Sequence, residues 1–229
     1  MSFDWRNSAA AEHWGERAGT LPTREEQLDI ALAALESIDP GDRWILDLGA
    51  GPGIVAEMVL ERLSKARVVL VDVSDRMLEL ASERLGRFSG RFELAHFDLE
   101  ADDLRLPERD YAAALAVQAL HNVLPLDQVR ALQLLSSMLS PGAVFVLVDK
   151  VAVAPAAYPL FLPVWERLRR LSGLSWEPET YEEHVGQLQL EGDEPVPLER
   201  MLQWLREANF EPALLHVHGN RAVMAARRR

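Results

Sequence analysis

The stretch Ile45-Leu46-Asp47-Leu48-Gly49-Ala50-Gly51-Pro52-Gly53 constrains this chain more than any other. It opens as a short apolar run holding one acid, breaks into three glycines at alternate positions, and continues as Ile54-Val55-Ala56-Glu57-Met58-Val59-Leu60. The first part reads as a buried strand and the last as a helix. A strand that turns through glycines directly into a helix sets free backbone N–H groups and the positive end of the helix dipole at the strand's carboxyl edge. In open α/β sheets that edge is where nucleotide-like ligands bind. A β-carbon there would block close approach of a ligand, and the turn needs backbone angles that favour glycine. A lone acid in a buried strand is unfavourable without a partner, so Asp47 is expected to serve a ligand or a hydrogen bond.

Alternation of strand and helix continues from there. Arg43 to Leu48 predicts the first strand and Gly53 to Leu63 the first helix. Arg67 to Val71 is β-branched and apolar, as a strand covered on both faces should be, and it ends in Asp72. Ser74 then caps a helix carrying Met77, Leu78, Ala81 and Leu85, with Gly86 as its stop. Further strands are expected at Phe92 to Phe97, ending in Asp98-Leu99, and at Asp110 to Val117, leading into Gln118-Ala119-Leu120-His121-Asn122. A helix from about Leu126 to Leu139 turns through Ser140-Pro141-Gly142 into a fifth strand, Ala143 to Val148. This rhythm implies a parallel sheet with helices on both faces.

The flanks differ. Residues 1–40 are expected to be a helical segment, with Thr23-Arg24-Glu25-Glu26 as a capping box and Leu28, Ala31, Leu35 and Ile38 on one face before Pro40-Gly41. Residues 3–20 add Trp5, His13 and Trp14 among polar neighbours. Residues 151–197 form an insertion richer in proline and aromatics, including Tyr158, Trp165, Trp176 and Tyr181, with Phe161, Val164, Trp165, Leu168 and Leu171 as one helical stripe. A helix from Leu198 to Ala208 follows, then strands Ala213 to Val217 and Arg221 to Ala226, joined through Gly219-Asn220 as a hairpin. No linker divides the chain, and one domain over residues 1–229 is expected.

The pattern apolar-Asp-apolar-Gly-x-Gly-x-Gly at Leu46 to Gly53 is similar to motif I of the class I S-adenosylmethionine-dependent methyltransferases. Five parallel strands, an insertion, a helix and a closing hairpin resemble that family's sheet from about Asp42 onward. The resemblance implies a Rossmann-like α/β fold: a doubly wound, mostly parallel seven-stranded sheet closed by an antiparallel C-terminal hairpin. It implies S-adenosyl-L-methionine as cofactor, over the turn Gly49, Ala50, Gly51 and Gly53, with Asp47 orienting the turn and the cofactor's amino-acid end. Asp72 can accept hydrogen bonds from both ribose hydroxyls of an adenosine at that turn. The other reading, an acid that starts the next helix, is weakened because Ser74 holds the cap position. In the resemblance Asp98 accepts from the adenine amine, Leu99 offers its backbone N–H, Val73 and Met77 pack on the ring, and Gln118 completes the cofactor site. As the alternative, Asp98 is a loop acid of the run Asp98 to Asp103.

A nicotinamide dinucleotide competes for the same turn, since Gly51-Pro52-Gly53-Ile54-Val55-Ala56 fits G-x-G-x-x-A and Asp72 suits the ribose of NAD. Against a dehydrogenase stand Gly49 ending the strand, the Asp98-Leu99 shelf, and the lack of a second domain to bring a hydride acceptor. A protein that binds S-adenosylmethionine without catalysis carries the same motifs and stays open.

Methyl transfer asks mainly for alignment and exclusion of water, and for a base where the acceptor loses a proton. His121 is the candidate catalytic base; the alternative is a packing or hydrogen-bonding histidine beneath the cofactor. The insertion is expected to form the acceptor lid, with Tyr158, Trp165, Tyr181 and His184 as substrate residues. Val117-Gln118-Ala119-Leu120 departs from the Asn/Asp-Pro-Pro-aromatic signature of enzymes that methylate nucleobase or amide nitrogens, which favours a small-molecule acceptor. From Leu171 to Glu199 there are eight acids and no Lys or Arg, either a negative mouth for a cationic acceptor or a solvated face.

A net charge of −12 opposes a nucleic-acid partner, whose phosphates call for clustered Lys and Arg. The N-terminus is too polar for a signal peptide, and the apolar run Ala143 to Val148 is too short to span a membrane. With no cysteine, disulfides and thiolate chemistry are excluded, and no histidine spacing suggests a metal. A cytoplasmic protein acting on a small molecule is expected, with a homodimer left open.

Overall fold

The computed structural model of the 229-residue chain describes residues 24–171, 173 and 179–229. Helix α1 (Arg24–Glu36) leads into strand β1 (Trp44–Leu48), helix α2 (Ile54–Arg62), β2 (Arg67–Asp72), α3 (Asp75–Leu85) and β3 (Phe92–His96). Then come β4 (Tyr111–Val117), α4 (Pro125–Met138) and β5 (Leu139–Lys150). Helices α5 (Tyr158–Leu171), α6 (Tyr181–Glu191) and α7 (Leu198–Glu207) precede the hairpin β6 (Phe210–His218) and β7 (Arg221–Arg228). The expected readings of Trp5, His13, Trp14, Thr23 and Trp176 fall outside the described residues.

The strands form one seven-stranded sheet in the order β3-β2-β1-β4-β5-β7-β6. The first five are parallel, whereas β7 runs antiparallel between β5 and β6. This is the doubly wound, mostly parallel sheet with a reversed hairpin that the sequence predicts. Its strand order reverses between β1 and β4, and at such a switch point the helices diverge and leave a crevice at the carboxyl ends of the strands.

Alternation along the strands divides the core. Ile45, Val68 and Leu70 pack with Leu28, Leu32 and Leu35 of α1, Val55 and Val59 of α2, and Ala81 and Leu85 of α3. Leu46, Val69 and Phe145 face the other way, against Leu132 and Leu135 of α4 and Met201 and Leu205 of α7. Every residue of β1 and of β4 is buried. At roughly 1.5–3 kcal/mol per fully buried Leu, Ile, Val or Phe, these two layers supply the main drive to fold. They also make the carboxyl edge of the sheet rigid.

Strands β5 and β6 extend at both ends beyond the expected bounds, and β7 runs two residues further, to Arg228. Strand β5 begins at Leu139 because that residue pairs with Tyr111, while Val144 pairs with Ala113. The intervening Ser140, Pro141 and Gly142 bulge outward and stay exposed, with Gly142 at φ +84°. Strand β6 starts at Phe210 and carries Pro212, which an edge strand tolerates because its outer N–H groups need no partner. Among the described residues, no helix is long and apolar enough to cross a membrane.

Candidate active site

A cleft of about 500 Å³ opens at the carboxyl edge of β1, β2 and β4. Asp47, Gly49, Ala50 and Gly51 line it from the turn after β1, and Asp72, Val73 and Met77 from the end of β2 and the start of α3. Asp98 and Leu99 follow β3, and Gln118 follows β4. The expected cofactor residues are thus brought together, apart from Gly53, which does not reach the wall.

The glycines divide the labour. A β-carbon on Gly49 would stand 2.5 Å from the Ala119 side chain, so this position lets the turn after β4 close against the turn after β1. On Gly53 it would meet the Ala81 backbone and side chain at 3.2 and 3.1 Å, so this glycine serves the packing of α2 on α3 rather than a ligand. Gly51, at φ +54°, has open space where its β-carbon would be, and only there does the turn present bare peptide to the cleft.

The turn's own N–H groups are not free, contrary to expectation. Gly49 and Ala50 both donate to the Val71 carbonyl, at 2.9 and 3.0 Å, and Gly53 donates to Ala50. Gly51 donates to Asp72 Oδ2 at 2.8 Å. A turn this tight consumes its donors internally. The donors left over by helix geometry are those of the first turn of α2, where Ile54 and Val55 border the cleft.

Asp72 ties the site together. Its Oδ2 holds Gly51 and its Oδ1 accepts from Ser74 N at 2.9 Å. Ser74 in turn caps α3 by accepting from Met77 N. Burial pushes the Asp72 carboxyl up from its ordinary range, against the backbone N–H groups of Ser74, Gly51 and Val73 that favour its charge. Each carboxylate oxygen keeps a second lone pair for a further donor.

Asp47 differs. It is 1% exposed, yet it borders the cleft, and its Oδ2 has no hydrogen-bond partner. Burial first, and the Asp72 charge second, push its carboxyl up to about 8. A buried acid with an unsatisfied oxygen, in a residue that borders a cleft, is the arrangement expected where a ligand supplies the missing donor.

Gln118 holds a left-handed backbone at φ +56°, an uncommon conformation for its type. It is fixed on three sides: its N–H donates to Val148 O at 2.7 Å, its carbonyl accepts from Asn122 Nδ2, and its Oε1 accepts from Arg221 at 3.0 Å.

Residues 45–142 match the family model described as a methyltransferase domain. Over that stretch the chain is similar to the class I S-adenosylmethionine-dependent methyltransferases. The chain is 31% identical over 145 residues to trans-aconitate 2-methyltransferase of Variovorax paradoxus, a match covering 63% of this chain and 49% of that protein. Its fold is similar to that of an O-methyltransferase family protein from Burkholderia thailandensis, with a TM-score of 0.69 at 13% identity over 97% of this chain and 60% of the other. Human N-acetylserotonin methyltransferase, solved in complex with S-adenosylmethionine, gives 0.63 at 15% identity over 98% and 57%. At those identities the structures speak for the fold. The chain spans about half the length of the curated relative.

The candidate base, His121, is set back from the cleft. His121 is 4% exposed and absent from the cleft wall. Its Nδ1 pairs with Asp149 Oδ1, its backbone N–H donates to Asp149 Oδ2 at 3.0 Å, and its Nε2 faces Asp193 Oδ1 at 3.6 Å. Asp193 also pairs with Lys150 Nζ. This buried cluster pins the end of the insertion to the sheet: Glu194 donates its N–H to the His121 carbonyl, and Gln128 Nε2 donates to the Glu194 carbonyl. Both nitrogens of the His121 ring thus face carboxylates of this cluster.

The four expected substrate residues come together, but outside the cleft wall. Tyr158 and Trp165 of α5 meet Tyr181 and His184 of α6, with ring centroids 5.3–5.6 Å apart. Thr180 and Glu183 form a capping box that starts α6. Several acids of this segment are internally engaged: Glu179 with His184, Glu183 with Thr180, and Glu191 and Asp193 with Lys150. That favours the structural reading of the acidic run over a charged mouth. The insertion instead reaches the cleft through Gly192 and Glu194, and α1 reaches it through Arg24. No local pattern flags these residues, because only the folded topology brings them to the rim.

Among the described residues, no cluster of His, Asp and Glu is arranged to hold a metal.

Proposed function

We propose that the chain binds S-adenosylmethionine in this cleft and transfers its methyl group to a small-molecule acceptor. The observation that carries the reading is Asp72, which bridges Gly51 and Ser74 at the floor of the cleft with a lone pair on each oxygen still to fill. A vicinal diol presents two donors at that spacing, and the open side of Gly51 admits the chain that extends from the sugar. The unsatisfied Oδ2 of Asp47 suits a cationic amine at the far end of the same ligand. Val73, Met77 and Leu99 offer the apolar walls that a purine needs, and Asp98 an acceptor for its exocyclic amine.

S-adenosylmethionine supplies, when bound, a methyl group on a positively charged sulfur, already activated for transfer. What remains for the protein is to fix geometry and exclude water. The rigid carboxyl edge holds Asp72 and the glycine turn, and the left-handed Gln118 closes the wall after β4. The acceptor side is bounded by Asn122, Leu124, Gly192 and Glu194. In this reading the insertion, residues 151–197, covers the acceptor, and its aromatic cluster stiffens the lid from behind. A small molecule is favoured over nucleic acid by the net charge of −12 and by relatives named for trans-aconitate and N-acetylserotonin.

Calorimetric titration with S-adenosylhomocysteine, followed by methyl-labelled cofactor with a metabolite panel and RNA, tests both halves. Saturable binding and label in a metabolite are expected. Binding without any labelled product supports a non-catalytic binding protein instead, and label in RNA alone overturns the acceptor class.

A further inference from the structure

Asn122, like Asp47, lines the cleft with a buried side-chain oxygen that has no hydrogen-bond partner. It ends the short turn Leu120–Asn122 after β4. Its backbone N–H donates to the Ala119 carbonyl at 3.2 Å, and its side-chain Nδ2 donates to the Gln118 carbonyl at 3.1 Å. A carbonyl can only accept, so this bond fixes the amide with Nδ2 toward Gln118 and leaves Oδ1 as the unsatisfied end. Gln118 is itself held by Val148 and Arg221, so the amide stands on a fixed point of the wall. A shielded oxygen of this kind is satisfied only by a donor. Glu194 lines the same cleft, and its N–H donates to the carbonyl of His121, the residue before Asn122. A carboxylate placed at Oδ1 would therefore meet lone pairs from the amide and like charge from Glu194. Arg24 enters the wall from α1, which packs on the sheet face opposite the layer that holds Ala119 and Leu120.

Resting on the cofactor reading above, we propose that Asn122 selects the methyl acceptor: its Oδ1 accepts from the O–H or N–H of an alcohol or amine to be methylated, and disfavours a carboxylate. The lone pair of that oxygen or nitrogen forms the bond to the methyl carbon as the carbon–sulfur bond breaks and leaves its electrons on sulfur. The proton held toward Asn122 then passes to water. A neutral amide suits this task, because it orients the donor without taking the proton. Val123 and Leu124, the latter 55% exposed, give the body of the acceptor an apolar bed beside the polar atom. On this point the chain differs from what a relative named for trans-aconitate, a tricarboxylate, would suggest.

Calorimetry with S-adenosylhomocysteine comes first; if the wild-type chain does not bind it, the cofactor reading itself fails and this inference with it. Methyl-labelled S-adenosylmethionine is then offered two matched sets at millimolar concentration: benzyl alcohol, benzylamine and benzoate, and hexanol, hexylamine and hexanoate. Label is expected in an alcohol or an amine at about tenfold or more the rate of the matching carboxylate, and the two arms show which nucleophile is taken. Label favouring a carboxylate, or label in no member of either set, overturns the proposal with the cofactor site intact. For Asn122→Leu, the KM of the labelled acceptor should rise about tenfold or more while the Kd for S-adenosylhomocysteine stays within about twofold. Asn122→Asp, which keeps an oxygen at that point, should raise KM less. An unchanged KM, or equal losses for acceptor and cofactor, would make Asn122 only a brace for Gln118 and overturn the proposal. The wild-type series decides alone should a variant fail to fold.

Discussion

At the carboxyl edge of the sheet, polar groups point out of a rigid frame toward a cleft; in the insertion they point at one another. Asp47 keeps an oxygen without a partner and Asp72 spends one lone pair per oxygen on the backbone. Across the cleft, Asp193 is shared between Lys150 and His121, Glu179 holds His184, and Tyr158 packs edge-on against both Trp165 and Tyr181. An unsatisfied buried acid is unfavourable in the free protein and persists where a ligand offsets it. A closed network gains nothing from a ligand but fixes the position of whatever it is attached to. The contrast divides binding from positioning, and it can be broken at either end.

The largest effect is expected at Asp72. Asp72→Ala removes the acceptor for the ribose and for Gly51 N–H, and at roughly 1.5–3 kcal/mol per hydrogen bond to a charged group it should weaken S-adenosylhomocysteine binding by about a hundredfold or more. Titration calorimetry reads this directly; a change below about tenfold would move the ligand away from β2.

Next comes the pH response of Asp47. Its folded carboxyl titrates near 8, far above its unfolded range near 4, so the folded state binds the extra proton between these values. Stability of the ligand-free protein therefore falls as pH rises from about 4 to about 8, and levels off above. Asp47→Asn cannot ionise, so its advantage over wild type should grow across that window, by an amount on the order of a few kcal/mol. Denaturant melts at a series of pH values check it. A parallel pH dependence in both proteins would mean that Asp47 finds a donor in the free state.

Gly51→Ala sharpens the division among glycines. With open space around the added methyl, the fold should lose only about 1–2 kcal/mol for the left-handed backbone, while cofactor affinity drops about tenfold. The same change at Gly49 drives a methyl into Ala119 and should lower the melting temperature more than Gly51→Ala does. The smallest effect belongs to the insertion. Trp165→Phe loosens the aromatic cluster, and should leave the Kd for S-adenosylhomocysteine within about twofold while altering the KM of the acceptor. A matching loss of cofactor affinity would erase the distinction between the two regions.

What could be read from the sequence follows the same boundary. The strand-glycine-helix turn, the acids ending β2 and β3, and the Gly219-Asn220 hairpin are local signals, set by a few adjacent residues, and they lie where expected. Arg24 and Glu194 reach the rim only because α1 and the end of the insertion are folded against the sheet, and no spacing announces that. His121 shows the limit most clearly. Its place after β4 suggests a base, but Asp149 from β5 and Asp193 from beyond α6 turn its ring into the interior. The bulge at Ser140 to Gly142 has the same origin, since strand pairing with Tyr111 draws Leu139 into β5 despite the turn residues that follow.

The central claim is that an adenosine lies across the carboxyl ends of β1, β2 and β3. A crystal structure of the chain with S-adenosylhomocysteine tests it most directly. The account predicts both ribose hydroxyls within hydrogen-bonding distance of the Asp72 carboxylate, the adenine beside Val73 and Leu99, and the sulfur above Gly51. A ligand bound elsewhere, or a sugar that makes no contact with Asp72, would contradict it.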